Sequence, residues 1–103
     1  MQTASKTVAR AVASDIVFFE CDIQFKLEKH IIGFASIAHN AGRIAQAAKI
    51  MDIPVIATRQ KNFGDISPVI TKHHHEGVKV FEKKTFSMLD DDVNTYFTSL
   101  NRK

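Results

Sequence analysis

The sequence predicts an α/β fold built on a parallel sheet, and three observations carry that expectation. Residues 16–19, Ile-Val-Phe-Phe, form a short unbroken apolar run rich in β-branched and aromatic side chains. Such a run reads as a strand buried on both faces. A second strand-like run, Pro-Val-Ile-Ala-Thr, occupies residues 54–58. Between the two lies a segment whose apolar residues recur at three- and four-residue spacings, the period of a helix. Strand, helix, strand in this order is a βαβ unit, with parallel strands and a right-handed crossover.

Taken in order, residues 15–24 (D-I-V-F-F-E-C-D-I-Q) open the expected domain. Asp22 follows the first apolar run, and open α/β sheets keep their ligands outside the carboxyl ends of their strands. Residues 24–32 read as a mixed connector. In the helix that follows, Phe34, Ile37, Ala41, Ile44, Ala48 and Met51 form the expected apolar face. The small residues Ala38, Ala41, Ala45 and Ala48 would let it lie close to a sheet. Asp52 and Pro54 end it, because proline cannot continue the hydrogen-bond ladder. Beyond the second strand, residues 59–67 (R-Q-K-N-F-G-D-I-S) read as a loop. A helical turn is expected within residues 68–75, and a third, shorter strand over residues 78–81. A second helix is expected over residues 89–100, started by Asp90, Asp91 and Asp92, whose charges suit the positive end of a helix dipole.

At 103 residues the chain allows one domain. With 45% apolar and 24% charged residues, its composition is that of a globular protein rather than a disordered one. No apolar run approaches the roughly 18 residues that span a bilayer, so no membrane partner is expected. The formal charge of +3 is spread along the chain without a basic block or interleaved aromatics, which argues against a nucleic-acid partner. The single cysteine, Cys21, excludes an internal disulfide and fits a reducing compartment, hence a cytoplasmic location. Residues 1–14 read as a flexible basic leader. Their lack of acids leaves a mitochondrial presequence as the alternative.

Two groups could carry chemistry. Asp22 ends the first strand and the Lys83-Lys84 doublet follows the third, so a parallel sheet brings both to one edge. A carboxylate beside an ammonium can serve as a general base. The bland alternative is an ion pair that orients a loop. His73, His74 and His75 raise the question of a metal, but consecutive histidines cannot all turn inward on one regular element. A solvated loop cluster is therefore expected, with no metal and no cofactor.

Three segments sharpen the functional reading. Cys21-Asp22-Ile23-Gln24, residues 54–60 (P-V-I-A-T-R-Q) and residues 82–88 (E-K-K-T-F-S-M) resemble the isochorismatase-like hydrolases, most of all the isochorismatase domain-containing branch. There the motifs typically read C-D-x-Q, P-V-x-x-T-x-Q and K-T-x-F-S-M, in this order and at this spacing. The resemblance implies a three-layer α/β/α Rossmann-like parallel sheet, of which about three strands lie within this chain. It implies an Asp-Lys-Cys triad acting on a small amide, imide or vinyl ether, with Asp22 as the aspartate. It places the lysine on Lys83 rather than Lys84. Gln24, Gln60 and Phe86, which stand in or beside these motifs, are the expected substrate-binding residues.

The family's nucleophilic cysteine follows a fourth strand, beyond the positions matched here. Cys21 neighbours Asp22, and successive strand residues point to opposite faces. Cys21 is therefore expected to be a small buried residue outside the pocket. The related nicotinamidases carry an Asp-x-His metal motif after the second strand, which R-Q-K-N-F-G-D lacks. Glu20 replaces an apolar residue of the family and should face the side of Asp22, either open to water or paired with Lys83 or Lys84. An unpaired edge on the first strand suggests a homo-oligomer or pairing with a full-length relative. The expected function is an isochorismatase-family hydrolase domain whose nucleophile lies elsewhere; the alternative is a catalytically inactive binding or oligomerisation module.

Overall fold

The computed structural model describes residues 10–102. Most of the expected basic leader therefore lies outside the described residues. The chain runs β1 (Phe18–Cys21), a 3-10 turn (Phe25–Leu27), α1 (Phe34–Ile50), β2 (Val55–Gln60), a second 3-10 turn (Lys61–Phe63), α2 (Pro68–Thr71), β3 (Val78–Lys83) and α3 (Asp91–Ser99). The sheet has order β1-β2-β3 and is parallel throughout. The βαβ expectation holds, and each strand is shifted or lengthened toward its carboxyl end. β1 begins two residues inside the apolar run, β2 continues through Arg59 and Gln60, and β3 continues to Lys83.

Register assigns the faces. Phe18, Glu20, Val55, Ala57, Val78 and Val80 share one side, since Phe18 pairs with Val55, Glu20 with Ala57, Val55 with Val78 and Ala57 with Val80. Ala57 packs with Phe34, Ala38 and Ala41 of α1 and with Ile66 and Ile70, while Val55 packs with Ala48. That side is covered by α1 and α2. On the other side Phe19 meets Phe97 at 5.3 Å and Phe81 meets Tyr96 at 5.7 Å between ring centroids, so α3 forms the third layer. The edge of β1 away from β2 has no strand partner among the described residues.

Local chemistry explains the helix ends. Ser67 caps α2 by accepting from the Val69 N–H, with Pro68 at the first helical position, where no N–H is needed. Asp90 caps α3 by accepting from the Val93 N–H at 3.0 Å, with Asp91 and Asp92 in the first turn as expected. α1 ends at Ile50, and Asp52 takes a left-handed conformation (φ 56°) before Pro54.

The buried face of α1 differs from the expected one. Phe34, Ala38, Ala41, Gly42, Ala45 and Ala48 are buried, whereas Ile37 and Ile44 stay 44% and 48% exposed and Met51 is also exposed. The alanine stripe wins because small side chains let the helix axis approach the sheet, and the stripe is too narrow to take both isoleucines with it. Gly42 extends the stripe toward α2. A Cβ there would lie 3.0 Å from the His73 ring and 3.1 Å from the Val69 carbonyl.

This close contact yields a measurable expectation. Ala45 is fully buried, and Ala45→Leu should destabilise the fold by about 1–3 kcal/mol through overpacking in urea denaturation. Ile44→Leu, on the exposed flank of the same helix, should stay within about 0.5 kcal/mol.

Candidate active site at the carboxyl edge of the sheet

Asp22 sits one residue beyond β1 with φ 53°, a left-handed conformation that aspartate tolerates better than most residues. Its N–H still donates to the Thr58 carbonyl at 3.1 Å, which continues the parallel ladder for one more residue. The side chain is held at both oxygens. Thr58 Oγ1 donates to Oδ1 at 2.9 Å, and Lys83 Nζ lies 2.8 Å from Oδ2. Lys83 also donates to the Phe86 carbonyl at 2.7 Å and is buried, whereas Lys84 is exposed. Strand alternation through β3 separates the doublet: Lys79, Phe81 and Lys83 share the α3 side, and Lys84 lies beyond the strand. Asp22 and Lys83 are thus brought together, and Thr58 is a third member that sequence reading missed. Its signal was present in the second motif, where a threonine ends an otherwise apolar strand.

Gln24 is fully buried, and its amide is committed to the chain itself. Nε2 donates to the carbonyls of Gln60 at 2.8 Å and Gly64 at 2.6 Å, and Oε1 accepts from the Gln60 N–H at 2.8 Å. Backbone bonds from Phe25 N to Asp65 O and from Ser67 N to Ile23 O zip the same two segments together. Gln24 and Gln60 are therefore adjacent, and both donors of the Gln24 amide are spent on positioning the loop. Phe86 projects into solvent, 95% exposed, although its carbonyl holds Lys83.

Two expectations built on alternation fail here for one reason: Asp22 is not extended. Glu20, paired with Ala57, faces α1 and α2, the side opposite Thr58 and Lys83. That side is closed rather than open to water. Glu20 is 1% exposed, and its Oε1 lies 3.0 Å from His74 Nε2, while Oε2 has no hydrogen-bond partner. Its partner is thus a histidine and neither lysine. Cys21, paired with Thr58, shares the face of the Asp22 carboxylate and is exposed, not buried.

The three histidines are half-buried in separate environments, which corrects the expectation of a solvated cluster. His73 lies against Gly42, His74 meets Glu20, and His75 Nδ1 accepts from the Gly77 N–H at 3.0 Å. Among the described residues, no three His, Cys, Asp or Glu side chains gather as metal ligands would. None of the described helices is long and apolar enough to cross a membrane.

A parallel three-layer sheet carrying a carboxylate and a buried ammonium at its carboxyl edge defines a Rossmann-like α/β protein. No protein-family model matches the chain. It is 32% identical over 93 residues to isochorismatase domain-containing protein 2 of Danio rerio, covering 90% of this chain and 47% of that protein. Against the protein of the same name from Xenopus laevis it is 37% identical over 84 residues, covering 82% and 40%. Among solved structures, the MAR1 ribonuclease of Caenorhabditis elegans superposes with a TM-score of 0.81 at 30% identity, over 87% of this chain and 48% of that one. The chain belongs to the isochorismatase-like family. It spans about half the length of the curated relatives it matches.

The buried pair separates the two lysines in a denaturation experiment. Lys83→Met strands Asp22 and the Phe86 carbonyl and should cost roughly 3 kcal/mol. Lys84→Met should change stability by less than about 0.5 kcal/mol. Equal losses for the two would mean that the doublet is used differently in solution.

Proposed function

We propose that this chain supplies the Asp-Lys part of an isochorismatase-type hydrolase site, with the attacking cysteine contributed from outside these 103 residues. The observation that carries this reading is the Asp22–Lys83 pair, 2.8 Å apart at the sheet's carboxyl edge, with Thr58 fixing the second carboxylate oxygen. In this reading Asp22 takes the proton from the incoming thiol as its sulfur attacks the carbonyl carbon of a small amide or imide. The tetrahedral intermediate collapses, the leaving nitrogen takes the proton, and water then releases the acid and restores the thiol. Lys83 balances the charge of Asp22 and fixes its orientation. Gln24 acts one step removed, holding residues 60–64 in place. A vinyl ether would be cleaved by the same acid–base pair, and a cytoplasmic location is proposed with it. The unpaired edge of β1 is proposed to take a further strand, from a longer relative or a second copy.

A chain extended to carry the nucleophile tests the reading against a panel of small amides, imides and vinyl ethers. Asp22→Ala and Lys83→Ala should each lower turnover at least about 100-fold. Cys21→Ala should leave turnover within a few-fold, and the 103-residue chain alone should show none. Turnover by the 103-residue chain that Cys21→Ala abolishes would instead make the exposed Cys21 the nucleophile. Full turnover in Asp22→Ala would reject the reading and favour a binding or oligomerisation module.

A further inference from the structure

The two 3-10 turns, Phe25–Leu27 and Lys61–Phe63, form the walls of a cleft that the Asp22–Lys83 pair does not line. Its volume is about 540 Å³, and its walls include Phe25, Lys26, Lys29, His30, Asn62 and Phe63. That size falls within the roughly 300–1,000 Å³ of small-molecule sites. The walls are held before any ligand arrives. Gln24 ties one turn to the other through Gln60 and Gly64. Gly64 has φ 76°, and the Phe25 ring occupies the space that a Cβ would need. Phe25 also donates its N–H to the Asp65 carbonyl at 3.0 Å. Yet Phe25 and Phe63 remain 46% and 38% exposed. The Phe25 ring is held in place by its neighbours, and both rings are left uncovered.

The charge around them is positive. Lys26 and Lys29 line the cleft, and Lys61 lines an adjoining one of about 390 Å³ that shares Phe25 and Lys26. Arg59, in the adjoining cleft, is engaged by Asp65 and Glu82. Glu28 is the one further carboxylate lining either cleft. An aliphatic anion would leave both rings in water, and a neutral aromatic molecule would leave the lysines unanswered. A ligand that satisfies both has a flat apolar body and a negative group.

We propose that this cleft binds a small aromatic anion, a ring bearing a phosphate or a carboxylate. The ring lies against Phe25 and Phe63, the anionic group meets Lys26 and Lys29, and the Asn62 amide is available as a donor. Binding of this kind does not require a nucleophile, so the proposal stands or falls separately from hydrolysis.

Backbone-amide NMR titration of the 103-residue chain tests it, using phenyl phosphate, benzoate, inorganic phosphate and phenol as probes. Phenyl phosphate or benzoate should give saturable shifts at Lys26, Lys29, Asn62 and Phe63, at least about tenfold tighter than inorganic phosphate or phenol. The stronger of the two identifies the anionic group. Lys26→Gln with Lys29→Gln, both exposed, should weaken that binding about fivefold or more without altering the rest of the spectrum. Phe63→Leu should do the same. Equal binding of inorganic phosphate, or indifference to the lysine changes, would overturn the proposal. Tighter binding of a thymidine oligonucleotide than of phenyl phosphate would overturn it too, and would make the cleft a single-strand surface.

Discussion

A lysine ammonium buried under a sheet edge cannot stay there alone, and that constraint shapes the carboxyl side of this molecule. Lys83 leaves water because β3 continues past its apolar residues and alternation turns residue 83 inward. A charge so placed needs a partner within hydrogen-bond reach. Asp22 provides it, but only by leaving extended geometry for a left-handed conformation, at roughly 1 kcal/mol for a residue with a Cβ. Thr58 then fixes the second carboxylate oxygen, and the Phe86 carbonyl takes another ammonium proton. Asp22 directly follows β1, Thr58 lies on β2 and Lys83 on β3, so the pair forms only when the parallel register is right.

The same left-handed residue marks where sequence reading stopped working. Strands, crossover and helix ends were legible because each has a local cause: β-branched runs, a helical period, Pro54 after a helix, acids at the start of α3. Asp22 and Lys83 were legible through the motif resemblance and through the rule that strand ends share an edge. The faces of Glu20 and Cys21 were not, because alternation was carried through a residue that breaks it. The Glu20–His74 contact joins positions 54 residues apart, and nothing local announces it. The choice of Ala38, Ala41, Ala45 and Ala48 over Ile37 and Ile44 as the buried stripe depends on how near the sheet lies, a property of packing and not of periodicity.

Gln24 illustrates how a motif residue acquires a different task from the one its position suggests. Its amide joins two loops that leave two different strands, so the carboxyl edge behaves as one body rather than as separate connections. Hydrogen bonds to two backbone carbonyls use both amide donors and a third bond accepts a backbone N–H, and glutamate could not replace them because it lacks the donors. The loop geometry on one side and the Asp22–Lys83 pair on the other thus share a single buried origin, two residues apart in the chain.

Gly42 shows the opposite arrangement, in which local and global preferences conflict. In isolation α1 would gain about 1 kcal/mol of helix propensity from alanine at that position. Within the fold, the missing Cβ is the space in which the His73 ring and the Val69 carbonyl rest. His73 in turn precedes His74, the residue that reaches into the sheet to meet Glu20. A weak point in a helix is therefore the condition for seating the segment whose His74 meets the buried Glu20. Frustration in one element is here the means by which a neighbour finds its place.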